Sequence, residues 1–215
     1  MDKRLGAGLA AMQITLPSEI LEREVQFLVE LLRWNRRVNL TAIREPVAAI
    51  EKHLIDSLSL LRMLPASAWV IDMGSGPGLP GIPLAIARAG LKVVTVDSVG
   101  KKISFQKHIK RQLALDNLFP RHARLEAINQ TGLPKSKFDL ALARAVTTLE
   151  SLLKLSAPLL VSGGELIAQK GPDGSRELQL LENNLPNYGF CLRGIEILQL
   201  PFSRAERQYF RFTRV

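Results

Sequence analysis

The sequence predicts an α/β fold: a mainly parallel sheet with helices on both faces, carrying an N-terminal helical appendage. Three observations lead there. Residues 1–65 read as helix broken only by turns. From Trp69 onward the pattern changes to five short apolar runs that alternate with helical stretches, the mark of a sheet built from βα units. At the change lies Asp72-Met-Gly-Ser-Gly-Pro-Gly-Leu-Pro-Gly81, a glycine turn between an apolar strand and a helix. That order lets a backbone approach a nucleotide closely. The expected division is residues 1–65 as the appendage and residues 66–215 as one compact domain.

Met1 to Met12 mixes Lys3 and Arg4 with small residues and Leu, and reads as a flexible or loosely helical tail. Thr15-Leu-Pro-Ser-Glu opens the first firm helix: Thr15 or Ser18 can cap it, Pro17 suits the first turn, and Glu19 lies near the positive end of the dipole. Leu21, Val25, Leu28, Leu31 and Leu32 give it an apolar face to about Arg36. Asn39-Leu-Thr begins an irregular turn. Glu45-Pro46 opens a further helix, which continues from Ala48 to Leu64 and stops at Pro65. Strands are expected at Trp69–Ile71, Leu91–Asp97, Ala123–Leu125, Phe138–Arg144 (with Pro134 before it) and Gly163–Lys170. Helices are expected over Ile82–Ala89, Lys101–Leu115, Leu149–Leu160 and Arg176–Leu185, the last stopped by Pro186. Phe190–Leu200 and Arg207–Arg214 read as a final antiparallel pair.

The chain has 215 residues, 47% hydrophobic and 23% charged, enough for a sizeable core. A net charge of +9 favours an anionic partner, nucleic acid before a membrane surface, with an unspecialised basic surface as the alternative. A single cysteine, Cys191, excludes an internal disulfide framework and a cysteine zinc site, and suits a cytoplasmic location. Beside Phe190 and Leu192 it reads as a small core residue. His53, His108 and His122 lack ligand spacing, so no metal is expected. No apolar stretch is long enough to span a bilayer, and the N-terminus is too weakly apolar for a signal peptide.

Gly76-x-Gly78-x-x-Gly81 matches the dinucleotide fingerprint, by itself a weak signal. The acids around it sharpen the reading. Asp97 ends the second strand 23 residues after Gly74, where a carboxylate can accept from ribose hydroxyls. Asp72 stands where it would repel a pyrophosphate. An acid there suits a cofactor with an ammonium or sulfonium and no phosphate, which describes S-adenosylmethionine. A dinucleotide and a purely structural turn are the alternatives.

Trp34-Asn35, Asn39-Leu-Thr41, His53-x-x-Asp56-Ser57, Asp72-x-Gly-x-Gly-Pro-Gly-Leu-Pro-Gly81, Asp97-Ser98, Arg144-Ala145 and Lys170-Gly171 follow one another in that order. In this the chain resembles the RsmG family, also called GidB, from about Leu16 to Val215. These are bacterial enzymes that methylate N7 of a guanine in 16S ribosomal RNA. The resemblance implies a class I, Rossmann-like methyltransferase fold and cofactor contacts at Gly74, Leu79, Leu125, Glu126 and Arg144. Ala143 and Gln169 depart from the family, which often has Ser before the arginine and an apolar residue before the lysine.

Asp97, Glu126 and Arg144 each fall at or just past a strand end, where open α/β sheets hold ligands. Arg144 is a candidate for positioning cofactor or substrate, with a salt bridge to Asp72 or Asp97 as the alternative. With Asp72, Gly76 and Gly78 these residues make up the expected cofactor site. The Asn/Asp-Pro-Pro-aromatic turn that holds an exocyclic amine is missing after the fourth strand, which reads Ala143-Arg-Ala-Val. Cys191 is badly placed to act as a nucleophile on a pyrimidine carbon. A purine ring nitrogen has an exposed lone pair and no proton to lose, so no catalytic acid or base is named and catalysis would rest on proximity and orientation.

His53, Asp56 and Ser57 share a helix face, read as a polar face near cofactor or substrate rather than a hydrolase triad or a solvated surface. Arg33, Arg36, Arg37, Lys101, Lys102, Lys170 and Arg207 are the candidates for RNA contact. Arg44, Lys107, Lys110, Arg111, Arg204, Arg211 and Arg214 extend the same clusters. Trp34 can stack on a base or join the core. The expected function is methyl transfer from S-adenosylmethionine to guanine N7 in 16S ribosomal RNA or the small subunit, by a cytoplasmic monomer. The alternatives are an S-adenosylmethionine enzyme acting on another RNA base or a small molecule, a dinucleotide-binding oxidoreductase or regulatory module, and a noncatalytic RNA-binding protein.

Overall fold

The computed structural model describes residues 1–130, 133, 137–144, 146–171 and 173–215. Pro134 and Ala145 lie outside the described residues. Seven strands form one sheet in the order β3-β2-β1-β4-β5-β7-β6. β1 (Ala68–Met73), β2 (Leu91–Asp97), β3 (Leu118–His122), β4 (Phe138–Arg144) and β5 (Leu160–Lys170) are parallel. β7 (Glu206–Arg214) runs antiparallel between β5 and β6 (Phe190–Gln199). The strand order reverses at β1, which pairs with β2 on one side and β4 on the other. The crevice at the carboxyl ends of those strands is where such a sheet takes a ligand.

Successive strand residues point to opposite faces, so an apolar run fills two cores. Val70, Val93, Leu140 and Ile167 enter one cluster, and Ile71, Val94, Ala141 and Leu166 the other. The first cluster is completed by α1 (Asp2–Ala11), α2 (Ser18–Asn35), the helical run after residue 45, α5 (Gly81–Ala87) and α6 (Gly100–Gln112). The second is completed by α7 (Leu149–Ser156) and α8 (Gly174–Leu181).

The run after residue 45 changes pitch three times. Its opening turn, α3 (Pro46–Ala49), is capped by the Glu45 carboxylate, which accepts from Ala48 N at 2.6 Å. It widens to a π-helix over Ile50–Ile55, returns as α4 (Asp56–Leu58) and tightens to a 3-10 turn over Ser59–Arg62.

Four sequence expectations need correction. The first twelve residues are not a loose tail: α1 buries Leu5 and Leu9, one turn apart on one face. Burying two leucines contributes on the order of 3–6 kcal/mol, enough to hold a short helix down. The third strand is Leu118–His122, not Ala123–Leu125. Pro120 reads as a boundary, yet β3 has a neighbour on one side only, where a missing N–H costs little. Pro186 does not end the helical path, which continues as a 3-10 stretch to Tyr188. Cys191 is exposed, because β6 alternates and Phe190 takes the inward position. No described helix is long and apolar enough to cross a membrane.

Candidate functional site

The glycine turn leaves β1 at its carboxyl end with Gly74, Gly76 and Gly78 at φ of 70°, 58° and 100°. A Cβ at Gly74 would lie 2.7 Å from Val146 Cγ2, and one at Gly78 would lie 2.3 Å from Ile82 Cδ1. Backbone and space both reserve Gly74 and Gly78 for glycine, and backbone alone reserves Gly76. Three buried polar side chains fix the turn. Asp72 Oδ2 accepts from Gly81 N at 2.8 Å, and Asp97 Oδ2 accepts from Gly76 N at 2.8 Å. Gln106 Nε2 donates to Gly76 O at 2.8 Å and to Ser75 Oγ at 2.9 Å, while its Oε1 accepts from Thr95 Oγ1. Gln106 was not singled out from sequence. Its signal was a polar residue midway between Ile103 and Ile109 on an inward face.

Beside the turn is a cleft of about 470 Å³, lined by Gly74, Asp97, Lys102, Leu125, Glu126 and Val146, with Ser98, Val99, Ala123 and Arg124. Asp97 Oδ1 accepts from Val99 N at 2.8 Å, and Lys102 Nζ is 3.7 Å from Oδ2. Asp72 is beneath the turn, not on the cleft wall. It is 1% exposed, and its Oδ1 has no hydrogen-bond partner among the described residues. Burial pushes its carboxyl up to about 7, against the opposing pull of Gly81 N and Arg144. Leu79 is also buried under the turn.

Arg144 lines a second cavity, of about 400 Å³, with Ile43, Lys52, His53, Asp56, Gln169, Lys170, Gly171 and Arg207. Its partner is neither Asp72 nor Asp97 but Asp56, whose Oδ2 is 3.5 Å from Arg144 Nη1. Asp56 Oδ1 accepts from Gln169 Nε2 at 2.7 Å and from Arg207 Nε at 3.0 Å. One buried carboxylate on α4 thus gathers groups from β4, β5 and β7. Gln169 supplies one of its donors. His53 Nε2 lies 3.1 Å from Thr41 Oγ1. Burial, and then the Arg144 charge, hold its imidazole down to about 4.

His53, Asp56 and Ser57 are all buried, so this is not a solvated helix face. Nor is it a triad: Ser57 Oγ has no hydrogen-bond partner among the described residues, and His53 faces Thr41. The two cavities draw on residues near the end of β4. Arg144 faces the second, Val146 walls the first, and Thr147 O accepts from Lys170 Nζ, which also pairs with Glu177 at 2.9 Å.

Asn35 shapes the loop that reaches the second cavity. Its Oδ1 accepts from Leu40 N at 2.7 Å and Thr41 N at 2.9 Å, and its Nδ2 donates to Thr41 O at 2.9 Å. Trp34 is half-buried on Phe105 and His108. The basic candidates divide. Arg36, Arg37 and Lys101 are exposed. Arg33 pairs with Glu30, Lys102 faces Asp97, Lys170 is tied to Glu177, and Arg207 to Asp56. Arg211 is held by Glu165 and Glu196. Among the described residues no group of three or more His, Cys, Asp or Glu could hold a metal ion.

A family model described as rRNA small subunit methyltransferase G matches residues 20–201. The ribosomal RNA small subunit methyltransferase G of Syntrophotalea carbinolica is 44% identical over 207 residues, 96% of this chain and 95% of that protein. Its counterpart in Azoarcus sp. is 40% identical over 204 residues, 95% and 92% of the two chains. Among solved structures, M. jannaschii TYW2 in complex with AdoMet matches with a TM-score of 0.60 at 16% identity, over 76% of each chain. TrmN from Thermus thermophilus matches with a TM-score of 0.56 at 20% identity, over 84% of this chain and 53% of that one. At such identities the likeness is one of fold.

Proposed function

The chain belongs to the rRNA small subunit methyltransferase G family, and from that premise we propose that it transfers a methyl group from S-adenosylmethionine to N7 of a guanine in 16S ribosomal RNA. The observation that carries the reading is the pair of cavities flanking the exit of β4. One suits a nucleoside cofactor, and the other presents two arginines and two lysines to an anionic substrate.

When bound, S-adenosylmethionine supplies an electrophilic methyl group. Asp97 retains lone pairs for ribose hydroxyls after accepting from Gly76 and Val99. Leu125 and Glu126 offer a wall and an acceptor for the adenine, and Gly74 keeps the turn open beside them. Gly78 and Leu79 shape the turn from below, and Asp72 braces it through Gly81. Arg144, pinned on Asp56, positions the guanine or its phosphate.

Guanine N7 has no proton to remove, so the protein's task is orientation rather than base catalysis. His53 fits this. An imidazole held down to about 4 is a poor base at neutral pH. We further read residues 1–65 as the segment that brings His53, Asp56 and the Arg33–Arg37 cluster to a methyltransferase domain of residues 66–215. The enzyme is taken to act as a monomer in the cytoplasm.

The test is transfer of a tritiated methyl to small-subunit ribosomal RNA from cells lacking the enzyme, followed by mapping of the modified atom. Label on guanine N7 is expected. Label on a carbon or an exocyclic nitrogen would overturn the reading.

A further inference from the structure

The cavity that Arg144 shares with Asp56 is crowded with donors and short of acceptors. Arg144, Lys170 and Arg207 bring cations to it, and the exposed Lys52 adds another. Both Asp56 oxygens are engaged, Oδ1 by Gln169 Nε2 and Arg207 Nε, Oδ2 by Arg144. Two other lining side chains keep a buried atom with no hydrogen-bond partner among the described residues: Gln169 Oε1 and His53 Nδ1. We propose that Gln169 selects the base, its Oε1 accepting a hydrogen bond from the 2-amino group of the guanine whose N7 is methylated. The inference deepens the reading above and rests on it.

Asp56 fixes which end of the Gln169 amide is left over. Nε2 donates to Asp56 Oδ1 at 2.7 Å, and a flipped amide would set Oε1 against a carboxylate oxygen. The remaining end is therefore an acceptor. Gln169 is 5% exposed. A buried acceptor without a donor costs free energy in the free enzyme, and a ligand that brings the donor recovers it. Guanine brings one. It carries an amino group at C2, where adenine has none, and a carbonyl at O6. The cations of the cavity suit O6 and phosphate, but they accept nothing, so the amino group is the part of guanine that needs Gln169.

The sheet sets the distance. Arg144 on β4 and Gln169 on β5 are register partners, so both point to one face, and neighbouring strands lie about 4.8 Å apart. N7 and the 2-amino group lie on far sides of a purine, whose breadth is comparable with that spacing. N7 must face the cleft beside the glycine turn, which draws on the ends of β1 and β2 and on Val146 after β4. The amino side then falls further along the order β1-β4-β5, over Gln169.

Arg144 is the group that yields to an entering base. Of the three donors on Asp56 it is held at the longest range, 3.5 Å against 2.7 Å for Gln169 and 3.0 Å for Arg207. Its contact with Lys52 O is also 3.5 Å. Its movement uncovers its register partner's Oε1.

The test uses small-subunit RNA ligated with inosine in place of the guanosine that becomes methylated. Inosine keeps N7, O6 and N1–H and lacks only the 2-amino group. Wild type should methylate the guanosine RNA with a kcat/KM about tenfold above that for the inosine RNA. Gln169→Met and Gln169→Leu remove the acceptor and should each bring that ratio to about one, with affinity for S-adenosylhomocysteine unchanged. The ratio is the informative quantity, because a residue that only holds Asp56 in place slows both substrates alike. A wild type indifferent to the 2-amino group would overturn the proposal whatever the variants do. So would a folded variant that keeps the wild-type preference. Methylation of the guanosine RNA at an atom other than N7, or none at all, would instead defeat the proposed function itself.

Discussion

Replacing Asp72 with Asn isolates what a buried carboxylate does under the glycine turn. Burial raises its pKa from 3.8 to about 7, so between those values the folded protein binds a proton that the unfolded chain has released. The sign follows: the Asp72 contribution to stability falls as pH rises from about 4 to about 7, and is level above that. Integrated between pH ~5 and pH ~8, the loss is about 2–3 kcal/mol. Asn keeps an oxygen for Gly81 N and has no charge to bury. Its amide nitrogen takes the place of the unpartnered Oδ1, which adds a cost that does not vary with pH. The informative quantity is therefore the change in the difference between variant and wild type. Thermal unfolding at both pH values should show Asp72→Asn gaining about 5–10 °C on wild type from pH ~5 to pH ~8. A difference that is the same at both values, or that moves the other way, would refute the account of Asp72 as a buried charge.

Three further outcomes follow from the geometry. Asp97→Ala removes the acceptor for Gly76 N and Val99 N, and should weaken S-adenosylhomocysteine about 10–100-fold by calorimetry while leaving RNA affinity nearly intact; equal loss of both would contradict the site map. Asp56→Asn takes the charge from between Arg144 and Arg207, and should lower kcat/KM at least about tenfold with cofactor affinity unchanged; unaltered turnover would remove Asp56 from the substrate cavity's working parts. Asn35→Ala breaks three hydrogen bonds in the 38–45 loop and should cost about 2–4 kcal/mol in urea unfolding; a cost under about 0.5 kcal/mol would mean the loop does not depend on it.

What was legible in the sequence was local. The first five strands announce themselves by apolar runs and turn residues, except β3, where Pro120 hides a strand that its edge position tolerates. Gly74 and Asp97 could be read from spacing, because the turn and the next strand end are fixed by one βα unit. Asp56 could be seen on its helix face, but its work could not. Its donors Gln169 and Arg207 are 113 and 151 residues away, and no periodicity links them. Asp72, whose charge before the glycines suits an ammonium or sulfonium, is buried instead, and that burial depends on the packing of Gly81 and Thr95 around it. Cys191 misled for the opposite reason, since apolar neighbours do not say which face of an edge strand is inward.

The strand order β5-β7-β6 also sets a schedule. A ribosome releases the last contributor to the cleft beside the glycine turn, Val146, about 60 residues before Arg207. The growing chain can therefore assemble that cleft while Asp56 still lacks its final partner. β6 is made before β7 but pairs in the sheet with β7 alone, so both join it only when β7 docks against β5. Until it does, β5 presents an open edge, the feature most prone to pair with a stranger. A chain cut short before Glu206 should be recognised less by lost chemistry than by its tendency to aggregate.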